Sequence, residues 1–256
     1  MKIPFKHRKK APRKRMITAG HSGHAFAYWT GEDREKIEGF REHWQSSFSN
    51  FRIFGDQDVL PLLKKHLAAK HLELYQQISI PAAKSDIARL VLLYEYGGLY
   101  VDCHCGMVET DEISRLLSEL GRYEGVLIDR RRWQEPRHRE EYYLVNSIMF
   151  ARQGSKLFYS FLLKALYNLE CQRELEIWMN GYSPYHIGTI TGPVVLNEVA
   201  LQPMSRNRKI RLDYEKRLKV IPEETAPVER DVFRSYNEGG RHWSIVQLDQ
   251  KLFLSR

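Results

Sequence analysis

The chain has little sulfur chemistry to offer. Cys103, Cys105 and Cys171 are its three cysteines in 256 residues, too few and too irregular for a disulfide framework, which predicts a reducing compartment. No apolar run approaches the roughly 18 residues of a membrane span, and no apolar h-region follows the basic start. Repeats, low-complexity tracts and Pro/Gly/Ser linkers are also missing, so the sequence predicts one domain that is soluble or at most held peripherally. Acid is missing from the first fifteen residues, which carry Lys2, Lys6, Arg8, Lys9, Lys10, Arg13, Lys14 and Arg15. Those eight account for the whole net charge of +8, leaving 32 basic against 32 acidic residues in the body. A neutral body removes the support for a basic groove that binds nucleic acid. The start reads either as a solvated arm or as a tail drawn to anionic lipid, at about 1 kcal/mol per basic residue.

The body is rich in aromatics, with 14 Tyr, 11 Phe and 5 Trp, which suits stacking on sugars or bases. Strands are expected at His24–Trp29, Phe51–Phe54, Gly125–Ile128 and Ser147–Phe150. Helices are expected at Glu32–Trp44, Val59–Tyr75, with Pro61 in its first turn, and Lys156–Leu169. This alternation predicts an α/β layered sheet.

The most informative stretch runs from Pro81 to Cys105. Ala83, Ile87, Leu90, Val91 and Tyr94 make a core-facing helical stripe, with Ser85, Asp86 and Arg89 off it. Taken alone, Asp86 and Arg89 make an ordinary i,i+3 ion pair, but with Ser85 ahead and Tyr100 and Asp102 just behind, the joint pattern favours a polar site. Gly97 and Gly98 stop the helix. A short strand follows, with Leu99 and Val101 on one side and Tyr100 and Asp102 on the other. Asp102 and His104 then share one side of a strand end, a place to hold a divalent cation against a phosphate. The same alternation sends Cys103 and Cys105 to the opposite face, which argues against zinc bound by Asp102-Cys103-His104-Cys105.

Ala83-Lys84-Ser85-Asp86, Arg89, Leu93-Tyr94 and Tyr96-Gly97-Gly98-Leu99-Tyr100-Val101-Asp102 resemble the signature of the DXD-motif sugar-binding glycosyltransferases, glycosyltransferase family 32. Its relatives include yeast outer-chain mannosyltransferases, bacterial capsule and lipopolysaccharide transferases and clostridial glucosylating toxins. Ala27-Tyr28-Trp29, Thr191-Gly192-Pro193 and Arg241-His242-Trp243-Ser244 resemble further family segments more loosely. The resemblance implies a GT-A-like fold, a mixed and mainly parallel sheet flanked by helices, over residues 16–256 behind a basic tail, 1–15. It also implies a nucleotide-sugar donor, a UDP-sugar being favoured, retention of configuration, and a divalent metal, usually Mn²⁺, with Mg²⁺ as the alternative. His104 stands where the family usually has Asp, a change that Mn²⁺ tolerates better than Mg²⁺.

Carried over, the resemblance gives Asp86, Arg89 and Asn146 to catalysis, Asn146 lying just before a strand. Tyr28, Trp29, Ser85, Asp86, Arg89, Gly98, Tyr100, Asp102, Trp243 and Ser244 go to the nucleotide-sugar, and Asp102, His104 and His242 to the metal. In this scheme the leaving diphosphate can take the acceptor proton, and no protein base is obliged. The acceptor expected is a saccharide or glycolipid in bacterial capsule, lipopolysaccharide or other glycan assembly. Location would be cytoplasmic, with peripheral contact at the inner membrane face through residues 1–15. A toxin-like transferase acting on protein, or an inactive nucleotide-sugar-binding relative, are the alternatives.

Overall fold

A computed structural model describes residues 24–31, 33–130, 143–201, 217–233 and 242–254. The basic tail and Arg241 lie outside the described residues. Six strands form one sheet: β1 (Ala25–Tyr28), β2 (Arg52–Phe54), β3 (Gly98–Val101), β5 (Gly125–Asp129), β6 (Leu144–Ala151) and β7 (Leu218–Pro222), in the order β2-β1-β3-β6-β5-β7. A separate two-stranded pair joins β4 (Gly106–Met107) to β8 (Val228–Glu229). In the main sheet β6 runs against both neighbours, while every other pairing is parallel. The α/β layered sheet expected from the alternating pattern is observed, and it is mainly parallel, as the family resemblance implies.

Helices cover both faces, as parallel strands require. On one face lie α2 (Asp56–His66), α3 (Ala69–Gln77), α4 (Pro81–Tyr96), α6 (Lys156–Trp178) and α8 (Pro193–Leu201), around a core that includes Phe26, Tyr100, Leu127 and Met149. On the other face α1 (Glu38–Gln45) and α5 (Thr110–Glu119) cover Leu99, Val101, Cys103, Cys105 and Ile148. Strand alternation holds only to Val101. Asp102 to Cys105 form a turn, closed by the Cys105 N–H on the Asp102 carbonyl at 2.9 Å, so His104 sits on a turn and not at a strand end. Both cysteines still pack with Leu99 and Val101. Burial also pushes both thiols above their ordinary values, which disfavours the thiolates a zinc site needs.

Helix α4 starts with Pro81 in its first turn and ends at Gly97, whose φ of 64° closes it. Gly98 follows at φ 93°, and a Cβ there would stand 2.1 Å from the carbonyl oxygen of His24. Gly98 thus joins α4 to β3 under β1, at the strand end away from the cavity described below, and its donor-binding assignment becomes a backbone role.

Other elements differ from the sequence reading. The expected helix over Val59–Tyr75 is two helices, broken where Leu67 and Ala68 become extended. Pro61 consequently sits inside α2 rather than in its first turn. Helix α6 runs past Leu169 to Trp178, because Gln172 and Glu176 are buried and bonded. Gln172 donates to the Ser183 carbonyl, while Glu176 accepts from Leu252 and Phe253 backbone N–H groups. Strand β6 begins at Leu144, which puts Asn146 inside it rather than ahead of it.

Candidate active site

Topology decides where the polar residues gather. Strands β1, β2, β3, β5 and β7 all point their C-terminal ends to one edge of the sheet, and the antiparallel β6 begins there. Trp29, Asp56, Asp102, Arg130 and Glu223 follow those ends, and Asn146 lies near the start of β6. Strand order reverses around β1, with β2 on one side and β3 on the other. Such a switch point leaves a crevice outside the strand ends, the usual ligand position in open α/β sheets. Here the crevice is a cavity of about 670 Å³, bordered by Trp29, Ser85, Asp86, Arg89, Asp102 and His104 among others.

Asp86 and Arg89 are the main surprise. Off the apolar stripe, and with Ser85, Tyr100 and Asp102 nearby, they read as part of a polar site, yet at 5% and 4% exposed they are buried deeper than a polar helix face predicts. Residues distant in the chain bury them. Asp86 Oδ1 accepts from Asn146 Nδ2 of β6 at 2.8 Å and faces Arg89 at 3.2 Å. Its Oδ2 accepts from Thr191 Oγ1 at 2.7 Å, just after α7 (Ile187–Ile190). A carboxylate offers about four lone-pair directions, so one acceptor position on Oδ2 remains. Burial pushes the Asp86 carboxyl up to about 6, against the pull of Arg89, Thr191 and Asn146.

Arg89 spends its whole fork inside the protein. Its Nε donates to the Ser85 carbonyl at 3.1 Å, one terminal nitrogen to the Asn146 carbonyl at 2.6 Å and to Asp102 at 3.5 Å. The other donates to Ser85 Oγ at 2.8 Å and meets Asp102 Oδ1 at 3.1 Å and Asp86. Burial works to lower the guanidinium, but Asp102, Tyr100 and Asp86 hold it above its ordinary value. One fixed cation thus sits between two carboxylates on the cavity floor.

Tyr100 does not reach the cavity. It is fully buried; its hydroxyl donates to Asp102 Oδ1 at 2.8 Å and lies 3.2 Å from Ser85 Oγ, with Arg89 over its ring. Instead of packing on a nucleotide, it braces Asp102 from below. Tyr28 borders the cavity, but its hydroxyl is turned inward, donating to Asp56 at 2.5 Å and touching the Tyr75 hydroxyl at 2.8 Å. Asp56 also receives Tyr75 at 2.6 Å and Lys84 at 3.2 Å. That network sits beside the site. Tyr28 and Lys84 fall in segments that resemble the family, but Asp56 and Tyr75, which join them, were not singled out in the sequence, and members lie up to 28 residues along the chain from Asp56.

Trp29 does reach the cavity. Its indole folds over Gly31, where a Cβ would stand 2.6 Å from the ring, so a side chain at 31 would displace it. The indole N–H is buried without a partner among the described residues. Across the cavity lie His242 and Trp243, at a single helical turn, Trp243–Val246. His242 Nδ1 contacts Ser244 Oγ at 2.7 Å and accepts the Ser244 N–H at 3.3 Å, capping that turn; Ser244 itself is not part of the cavity wall.

The metal set is smaller than expected. Asp102, His104 and His242 all border the cavity, yet among the described residues no three His, Cys, Asp or Glu side chains group to hold an ion. His242 belongs to the separate capped turn, which is why it does not join the other two. The turn that carries His104 is fixed from outside: the His104 carbonyl accepts from Val232 at 2.9 Å, and Trp44 donates to Cys105 at 2.9 Å. Asp102 and His104 share the cavity border, with Asp102 already held by Tyr100 and Arg89.

No curated protein matches the chain in sequence. Among solved structures, PaToxG glycosyltransferase is similar over 74% of this chain and 73% of its own, at 16% identity and a TM-score of 0.45. The glycosyltransferase domain of the YGT toxin, ligand-free and UDP-bound, is 13% and 14% identical over 74% of this chain, with TM-scores of 0.40 and 0.39. The match spans 56% of those two chains. Residues 20–116 match the family described as glycosyltransferase sugar-binding region containing DXD motif. That segment holds Trp29, Ser85, Asp86, Arg89, Asp102 and His104, and it supports a glycosyltransferase with a DXD-type sugar-binding region.

Proposed function

We propose that the protein is a metal-dependent, retaining glycosyltransferase that moves a sugar from a nucleotide-sugar, with a UDP-sugar favoured, to a saccharide or glycolipid acceptor. The observation that carries this reading is the convergence of Asp86, Arg89 and Asp102 on the floor of one cavity beside Trp29. At about 670 Å³ the cavity has the size of a small-molecule site. Trp29 offers a face and an N–H to the base. Ser85 and Asp86 meet the sugar, a hydroxyl of which donates to the remaining acceptor position of Asp86. Asn146 commits an amide hydrogen to Asp86 and therefore acts on the sugar through that carboxylate.

Arg89 has no donor left to offer the diphosphate, so it acts by its charge and by fixing both carboxylates. With Asp86 and Asp102 ionised around one guanidinium, the floor is net negative and attracts a cation. Asp102 and His104 would hold it, a donor set that suits Mn²⁺ better than Mg²⁺. When bound, the metal would neutralise charge on the departing diphosphate. In a retaining transfer the acceptor oxygen bonds to the anomeric carbon on the face from which the diphosphate departs, the sugar–diphosphate C–O bond breaks, and the leaving phosphate takes the acceptor proton.

Residues 1–15 are proposed to hold the chain at an anionic membrane face on the cytoplasmic side, where glycan precursors are assembled. Residues 16–256 would be the catalytic domain. The direct test is nucleotide release from a panel of UDP- and GDP-sugars with Mn²⁺. Release from no donor would sink the reading.

A further inference from the structure

A second charged cluster lies on the cavity wall at the far strand ends. Arg130 follows β5, Glu223 follows β7, and Arg230 follows β8, which the pairing of β8 with β4 brings back to the mouth. Glu223 sits between the two arginines. Its Oε1 accepts from Arg230 Nε at 2.5 Å, and its Oε2 stands 3.9 Å from Arg130 Nε. Both arginines border the same cavity as Asp86 and Asp102, and Glu223 does not. The Arg130 side chain is 45% exposed and that of Arg230 18%. The carboxylate behind them accepts from Arg230 Nε and stands within ion-pair range of Arg130 Nε, so both guanidiniums meet it through Nε, the arrangement in which terminal N–H groups can take a bidentate anion. None of the reaction roles assigned above uses either residue.

We propose that Arg130 and Arg230, oriented by Glu223, form an anion subsite on the wall of the cavity that takes a phosphate or carboxylate group. The inference rests on the glycosyltransferase reading for its place in the reaction, not for its chemistry. Two sources supply such a group: the diphosphate of the donor, or an anionic group on the acceptor. A simply structural cluster would have Glu223 and Arg230 tie the β7–β8 connection together and nothing more. The two accounts part on Glu223. If the cluster is structural, removing either partner of the ion pair harms the protein in the same way. If it is an anion subsite, Glu223 occupies only the Nε side of the arginines while its negative charge repels the anion, so Glu223→Gln, which keeps an acceptor for Nε and loses the charge, strengthens binding.

The probe is inorganic pyrophosphate, titrated calorimetrically into the full chain in EDTA so that no metal bridges the anion. Arg130→Gln and Arg230→Gln should each weaken binding, Arg230→Gln on the order of tenfold, as loss of a charge-assisted pair implies. Glu223→Gln should tighten it severalfold while its melting temperature falls or stays. Saturating UDP separates the sources. If UDP abolishes the variant-sensitive binding, the donor diphosphate occupies the subsite; if UDP-loaded protein still binds pyrophosphate with the same variant pattern, an acceptor anion does. Weaker binding in Glu223→Gln, parallel to Arg230→Gln, or unchanged binding in all three variants overturns the proposal. Failure of the glycosyltransferase reading would show separately, as intact pyrophosphate binding without nucleotide release from any donor.

Discussion

Replacing Arg89 by Ala should be one of the most damaging single changes in this chain, and damaging first to stability. The guanidinium is 4% exposed and stands between Asp86 and Asp102 at 3.2 and 3.1 Å. Its loss leaves two carboxylates facing each other with no cation, and breaking a buried pair from one side costs about 3–5 kcal/mol. For a domain of this size each kcal/mol moves the melting temperature by about 2–4 °C, so the drop expected is about 6–20 °C. The deficit should also depend on pH with a definite sign. Asp86 is held up to about 6 by burial even with Arg89 beside it, and goes higher without it. A carboxyl whose folded-state pKa lies above its unfolded value lends stability below the unfolded value, lost as pH rises through the folded one. The Arg89→Ala deficit should therefore be larger at pH 8 than at pH 5, and Asp86→Asn in the same background should recover part of it. Differential scanning calorimetry at both pH values measures this. A melting temperature within about 2 °C of wild type would refute the buried-cation account, as would a deficit that ignores pH.

Three further outcomes follow from the site. Turnover should fall as pH drops through about 6 as Asp86 takes a proton, and Asp86→Asn should lack that limb; Thr191→Val, which removes a donor to the carboxylate, should move the midpoint up, and Thr191→Ser should restore it. Trp29→Ala should weaken donor affinity by about 1–3 kcal/mol, the worth of one stacked base, as read by nucleotide titration, and unchanged affinity would remove Trp29 from the base site. Deleting residues 1–15 should leave donor hydrolysis intact and weaken binding to anionic vesicles, more strongly at low salt; equal vesicle binding would return the tail to a solvated arm.

The parts of the site that were legible in the sequence are those set by local periodicity. The span of α4 follows from Pro81 at its start and Gly97 at its end, and the alternation from Leu99 to Val101 sends Tyr100 to the opposite face of the sheet from its neighbours. Burial of Asp86 and Arg89 was not legible, because the groups that cover them, Asn146 and Thr191, lie 60 and 105 residues from Asp86. A helical wheel shows which face is polar, not whether a strand or another helix closes over it. Tyr100 misled for the same reason. It ends a hydrogen-bond path to an aspartate, and an aromatic beside a motif looks alike whether it touches ligand or braces a carboxylate. The break between α2 and α3 had no local signal either, since neither Leu67 nor Ala68 is a helix breaker.

The most direct test of the account is metal-dependent donor cleavage in the wild-type chain and in Asp102→Ala. Incubated with UDP- and GDP-sugars, the wild-type protein should release nucleotide slowly from one donor. Mn²⁺ should serve better than Mg²⁺, and excess EDTA should stop the reaction. Asp102→Ala should lose nearly all of that release while still binding nucleotide through Trp29. Full nucleotide release in excess EDTA, or from Asp102→Ala, would contradict the claim that the floor of this cavity holds a metal against a departing diphosphate.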